Sequence, residues 1–223
     1  MGSTIGAMLP LAIGIAISPI PIIAAILMLL SPKAKGTSIG FLLGWIVGIL
    51  VAVTVFTLVS SVLPDDGSGT SKPLHGTIQI LLGAVLLFFA LRQWRSRPEP
   101  GEEAKMPKWM SAIDTMNAGK GFGLGFLLAA VNPKNLLLGA AAGVTIGSAA
   151  LSTGSVAVVI LVFTVIAAAS VALPVIAYLV AAKRMEAPLE SLRTWLVHNN
   201  ATVMAVLLLV FAFVLIGKGI ASF

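Results

Sequence analysis

The chain has 223 residues, of which 58% are hydrophobic and only 10% charged, and its formal net charge is +6. This composition excludes an ordinary soluble domain and is typical of a membrane protein. The basic residues stand at the ends of apolar runs, so no nucleic-acid-binding face is expected, and the absence of cysteine excludes disulfides and thiol chemistry.

Six apolar runs follow one another, and each is long enough to cross about 30 Å of hydrocarbon. They cover residues 5–30, 38–62, 74–92, 121–147, 154–181 and 200–222. No Lys or Arg precedes the first run, so it lacks the charged start of a signal peptide and is expected to be a retained span. The sequence predicts an all-α polytopic membrane protein with six transmembrane helices in a single domain, residues 1–223.

Basic residues are unequally divided between the two ends of these runs. Eleven lie in the connections 31–37, 92–120 and 182–199, whereas Lys72 and Lys218 lie at the opposite ends. Because cytoplasmic connections are enriched in Lys and Arg, the basic connections are predicted to be cytoplasmic. We therefore expect a multi-pass protein of the cytoplasmic (inner) membrane with both termini outside.

Proline interrupts the first and fourth runs near their middle. Residues 18–21 read Ser-Pro-Ile-Pro, and residues 132–135 read Asn-Pro-Lys-Asn. Proline removes a backbone donor and breaks a helix ladder, but it is favoured in the first turn of a new helix. The sequence therefore predicts broken first and fourth helices, each with a second half that begins at proline.

The two interruptions lie 112–114 residues apart, which is about half of the chain. With three spans in each half, the halves insert in opposite orientations, which is the arrangement of a 3+3 inverted repeat. The predicted halves are residues 1–92 and 121–223, joined by a cytoplasmic linker at 93–120. Broken helices at matching positions indicate a transporter site near the middle of the membrane.

Lys134 is the one formally charged residue deep inside a predicted span. A lysine there costs about 2.5–3.5 kcal/mol, so such residues usually face a cavity or a partner and mark a pathway. Together with helix N-termini, the lysine suits a carboxylate, phosphate or other anionic group. The simpler alternative is that the prolines only kink two packed helices. The predicted substrate-binding residues are Ser18, Pro19, Pro21, Asn132, Pro133, Lys134 and Asn135.

Metal, cofactor and enzyme functions lack the residues that they need. No Asp or Glu lies in a predicted span, and the two histidines, His75 and His198, stand at span ends without partners. A site for a hard or borderline metal needs oxygen or imidazole ligands, so none is predicted. No P-loop, dinucleotide fingerprint or Ser/His/Asp constellation is present, so neither a cofactor nor catalysis is expected.

Glycines recur at steps of four on two of the runs. They stand at 36, 40, 44 and 48 on the second run and at 139, 143 and 147 on the fourth. Such stripes let helix backbones approach closely. We expect them to pack helices within the chain, and the alternative is a homodimer interface.

A separate helical pattern lies between the last two runs. Its apolar members are Met185, Leu189, Leu192 and Leu196. This spacing predicts an amphipathic helix over residues 184–197, with its apolar face in the membrane surface.

Three stretches resemble the actinobacterial GAP family, which is named for addressing glycopeptidolipids and sulfolipids to the mycobacterial surface. They are SPIPIIA at 18–24, LSPKAK at 30–35 and FLLGW at 41–45, within a resemblance that covers essentially the whole chain. More distantly, the chain resembles the lysine-exporter superfamily, whose fourth helix carries the Asn-Pro-Lys motif found here at 132–134. Redox relatives in that superfamily use paired cysteines, which this chain lacks.

The resemblance implies export or surface delivery of a (glyco)lipid, or efflux of a small solute. Our leading hypothesis is a secondary transporter that exports or flips an anionic or phosphate-bearing lipid. One alternative moves amino acids or other small polar solutes. The other is a non-transporting scaffold for a lipid export complex, in which backbone carbonyls neutralise Lys134 in a closed core. The expected partners are membrane lipids and an anionic or zwitterionic substrate.

Overall fold

The computed structural model describes residues 1–62, 71–97, 110, 113 and 115–223. Its α-helices are α1 Gly2–Ala16, α2 Pro19–Leu29, α3 Ala34–Val62, α4 Ser71–Arg95, α5 Ala118–Ala130, α6 Pro133–Gly147 and α7 Thr153–Ile220. No strand occurs in this part of the chain, which confirms the all-α prediction. Most of the predicted linker at 93–120 lies outside the described residues.

The described helices provide three to five candidate membrane spans. α3, α4 and α7 are each long and apolar enough to cross, and the bent pairs α1–α2 and α5–α6 each qualify when counted together. α7 has 68 residues, which corresponds to about 100 Å of helix. Its backbone leaves the helical conformation at Ala181, the last residue of the fifth apolar run.

The part of α7 after the kink at Ala181 packs along α1. Tyr178, before the kink at Ala181, borders the loop 31–37 that follows α2. Lys218, near the end of α7, instead bonds to Ala7 in the first half of α1. Because α1 and α2 lead from Ala7 towards that loop, the part of α7 after the kink runs antiparallel to α1.

Glycines bring α3 close to the broken pair α5–α6. A Cβ atom at Gly44 would collide with the carbonyl of Phe122 on α5, and one at Gly143 would meet Phe56 on α3. Gly40, Gly48 and Gly147 make similar close approaches across these helix pairs. The predicted stripes therefore serve packing within the chain, with two exceptions. At Gly36 nothing lies within 4 Å of a Cβ position, and at Gly139 a Cβ atom would make only an ordinary contact of 3.7 Å with Ala52.

Residues 184–197 are helical, as predicted, but their apolar face is partly covered by the protein. Leu189 is 2% exposed and Leu196 is 6% exposed, and both belong to the hydrophobic core. Leu192, at one edge of the same stripe, is 40% exposed. The prediction that this apolar face lies in the membrane surface is therefore wrong for Leu189 and Leu196, because the core of the protein already buries them.

Candidate functional site

The first break lies between α1 and α2, which meet at a bend of 50°. α2 begins at Pro19, in the first turn as predicted. Since Pro19 has no N–H, it cannot donate to the carbonyl of Ile15, four residues earlier. The last turn of α1 therefore has carbonyl groups that need donors from elsewhere.

The second break lies between α5 and α6, which meet at a bend of 61°. α6 begins at Pro133, and the side-chain oxygen of Asn132 caps it by accepting from the Lys134 N–H at 3.1 Å. The N–H of Asn132 bonds to the carbonyl of Leu127 rather than to that of Leu128. The Leu128 carbonyl is thereby released from the regular helical ladder.

The two breaks lie against each other, and side chains donate to backbone carbonyls in the turns that precede them. Lys134 Nζ donates to the Gly14 carbonyl at 2.7 Å, across from one break to the other. Asn135 Nδ2 donates to the Leu128 carbonyl at 2.9 Å, and the Ser18 hydroxyl donates to Asn135 Oδ1 at 3.4 Å. A connected polar group thus joins the end of α1 to the start of α6.

This polar group is enclosed by the protein. The exposed fraction is 3% for Lys134 and 1% each for Ser18 and Asn135. The only Asp or Glu side chains in the described part are Glu186 and Glu190, neither of which bonds to Lys134. The ammonium is instead stabilised by a carbonyl in the last turn of α1, where the helix dipole is negative.

The structure divides the predicted site residues into two groups. Ser18, Lys134 and Asn135 form the contact between the breaks, and Pro19 and Pro21 are buried beside them at the start of α2. The second group lies at the start of α6. Asn132, the N-cap, is half-buried, and Pro133, the first residue of the helix, is exposed.

A protein-family model described as Sap, sulfolipid-1-addressing protein, matches residues 8–221. The chain belongs to the sulfolipid-1-addressing protein family. No curated protein and no solved structure matches it. The family match confirms the resemblance to lipid-addressing proteins, whereas the distant relation to lysine exporters stays a prediction.

Two hydrogen-bond acceptors at the breaks of this sulfolipid-1-addressing family member could not be predicted from the sequence. Gly14 and Leu128 contribute backbone carbonyls, which leave no side-chain signature. Their only signal is their position, in the helical turn just before each break.

The contact that Lys218 makes with α1 was not predicted from the sequence of this sulfolipid-1-addressing family member either. Its Nζ donates to the Ala7 carbonyl at 2.6 Å. Ala7 and Gly14 are seven residues apart and therefore lie on one face of α1. Two lysines, Lys134 and Lys218, thus hold the same face of α1 from two different helices.

Proposed function

We propose that this protein is a secondary translocator that exports or flips an anionic (glyco)lipid or phosphate-bearing lipid across the cytoplasmic membrane. The observation that carries the proposal is the pairing of buried Lys134 with the neutral carbonyl of Gly14, across two broken helices. A buried cation without a carboxylate partner among the described residues suits an anionic substrate. The family description, which refers to a sulfolipid, is consistent with such a headgroup.

The proposed architecture has six spans with both termini outside, and α7 crosses the membrane twice. The length of α7, its kink at Ala181 and the antiparallel course of its second part along α1 support the double crossing. In this architecture α1–α2 and α5–α6 are the matching broken helices of a 3+3 inverted repeat. Both second halves begin at proline, at Pro19 and Pro133, which is consistent with such a repeat.

In the proposed cycle, the anionic headgroup replaces the Gly14 carbonyl as the acceptor for Lys134 Nζ. A hydrogen bond between an ammonium and an anion is stronger than one between the ammonium and a neutral carbonyl. Releasing Gly14 also frees the end of α1 from the start of α6, so substrate binding loosens the contact between the two halves. Pro19 and Pro21 have no N–H, so α2 offers few backbone donors, and Lys134 carries most of the recognition.

The experiment follows the flipping of a fluorescent anionic phospholipid in liposomes that contain the purified protein. Lys134→Met keeps most of the length and apolar volume but removes the ammonium group. We expect flipping to slow by about tenfold to a hundredfold, because a charge-assisted hydrogen bond contributes roughly 1.5–3 kcal/mol. Lys134→Arg should be intermediate, since a planar guanidinium does not replace a compact ammonium.

Lys218→Met is the matched control. It also removes a lysine that bonds to a carbonyl of α1, at Ala7, but it lies away from the breaks. If holding α1 were the only function of these lysines, both variants would lose flipping. Parental flipping by well-folded Lys134→Met would contradict the role proposed for this residue.

A second candidate function is a non-transporting scaffold for a lipid export complex. It is favoured by the enclosure of Lys134, which is 3% exposed and bonded to a backbone carbonyl. A scaffold predicts that the protein flips the fluorescent lipid no faster than protein-free liposomes do. It also predicts that cells producing Lys134→Met still deliver their envelope lipids.

A further inference from the structure

A cavity of about 550 Å³ opens at the end of the molecule where the basic connections lie. It is separate from the polar group at the two breaks. The loop after α2, the first turn of α3, the start of α5 and the middle of α7 all border it. Gly36 lies in its lining, together with the polar residues Ser31, Lys33, Lys35, Thr37, Asn117 and Tyr178.

Two lysines make the lining of this cavity basic. Lys33 and Lys35 are exposed, and they stand on either side of the start of α3. Within the described part of the chain, the one ion pair joins Arg193 to Glu190. Neither lysine has a carboxylate partner among the described residues.

Neutral donors complete the lining. Tyr178 is the only tyrosine of the chain, and its half-buried ring packs against the hydrophobic core, which fixes the position of its hydroxyl group. Asn117 caps α5 through Oδ1, which accepts from the Lys120 N–H at 2.9 Å. Because that oxygen is occupied, the amide N–H₂ group is the part of Asn117 that can serve a ligand.

The surroundings of the cavity favour a lipid over a free anion. Pro32, Ala34, Ala118 and Ala182 line it together with the lysines and the neutral donors. This apolar part of the lining can contact the glycerol or acyl portion of a lipid, which a free phosphate or sulfate lacks. The volume also falls within the roughly 300–1,000 Å³ of typical small-molecule sites, so it has room for a polar headgroup and its anionic group.

We propose that this cavity binds the phosphate or sulfate group of an anionic membrane lipid at the cytoplasmic surface. If the proposed translocation is correct, it is the first docking site for the headgroup. α2 leads from the cavity to the break at Pro19 over 11 residues, or about 16 Å. α5 leads to the second break over 13 residues, or about 20 Å, so two helices connect this cavity with Lys134.

The test measures binding of short-chain phosphatidylglycerol to the purified full-length protein in neutral detergent by native mass spectrometry. Phosphatidylcholine with the same acyl chains is the zwitterionic comparison. The double variant Lys33→Gln/Lys35→Gln should lower the affinity for phosphatidylglycerol by roughly tenfold to thirtyfold. The matched control, Arg92→Gln/Arg95→Gln, removes the same charge from the exposed end of α4, outside the cavity, and should bind as the parent does.

Two results would overturn the proposal. An equal loss of binding in both double variants would show a general effect of basic charge. Displacement of the lipid by inorganic phosphate or sulfate at similar concentrations would show a site for a free anion.

A variant of unchanged charge gives an independent check. Gly36→Phe places a ring in the open space at the start of α3, where nothing lies within 4 Å of a Cβ atom. It should weaken phosphatidylglycerol binding, and unchanged binding would contradict the location of the site.

Lys218→Met is a comparison outside both sites, because Lys218 lies neither at the breaks nor in the lining of the cavity. This variant should bind phosphatidylglycerol and flip the fluorescent lipid as the parent does. If the parent protein binds phosphatidylglycerol but does not flip the fluorescent lipid, the translocation cycle is refuted and the cavity remains a lipid site. If Lys33→Gln/Lys35→Gln binds phosphatidylglycerol as tightly as the parent does, the cavity is refuted as the lipid site and the translocation cycle is unaffected.

Discussion

Replacing Gly125 by alanine tests the close packing of α3 against α5. A Cβ atom at this position would collide with the carbonyl of Phe41 and lie 2.9 Å from the backbone nitrogen of Trp45. Both neighbours are backbone atoms of α3, so a side-chain rotation cannot relieve the contact. The two helices must move apart, which reduces their packing along the shared face.

The matched control is Gly123→Ala, two residues earlier on the same helix. No atom lies within 4 Å of a Cβ position at Gly123. This change should therefore show only the gain in helix propensity, which is about 1 kcal/mol for glycine to alanine. At Gly125 the same gain is opposed by overpacking, which typically costs 1–3 kcal/mol and should lie near the upper end against a rigid backbone.

We therefore expect Gly125→Ala to lower the free energy of unfolding by about 2 kcal/mol, and Gly123→Ala to raise it by about 1 kcal/mol. Reversible unfolding in mixed micelles of mild detergent and sodium dodecyl sulfate provides the measurement. Tryptophan fluorescence is a suitable signal because Trp45 is fully buried on α3 beside Gly125. Equal stability of the two variants would refute the packing described for α3 and α5.

Two further predictions concern topology and core packing. Cysteines introduced at Ser96 and Ser152, in a chain without native cysteine, should react with a membrane-impermeant reagent from opposite sides; reaction from one side contradicts the six-span arrangement. Leu189→Ala should lower the free energy of unfolding by about 2–4 kcal/mol because Leu189 is 2% exposed. Leu192→Ala, at a residue 40% exposed, should cost much less, and equal losses would show that the face at 184–197 is not packed as described.

The helices and their interruptions follow from local properties of the sequence. Apolar length predicts where helices can cross a membrane, and the described helices occupy all six predicted runs. Proline has no N–H and fits the first turn of a helix, so Pro19 and Pro133 mark the starts of α2 and α6. These effects act within a few residues and need no knowledge of the remaining fold.

Tertiary structure decided which groups meet. Lys134 bonds to Gly14, 120 positions away in the chain, and the acceptor is a backbone carbonyl that every residue type possesses. The partners of the glycine stripes also depend on how α3 lies against α5 and α6, which spacing within one helix cannot specify. Likewise, Leu189 is buried because the core of the protein covers it, whereas its helical pattern is equally compatible with lipid.

The sequence by itself determined the membrane class, the positions of the two breaks and the presence of a cation between them. Hydrophobicity, the missing N–H of proline and the charge of Lys134 are properties of the residues themselves. Only the tertiary structure brought the breaks together and formed the basic cavity, whose lining comes from three separate parts of the chain: 31–37, 117–118 and 178–182. Such a cavity depends on packing between distant segments, because a ligand site requires donors to converge in space and no local pattern records that convergence.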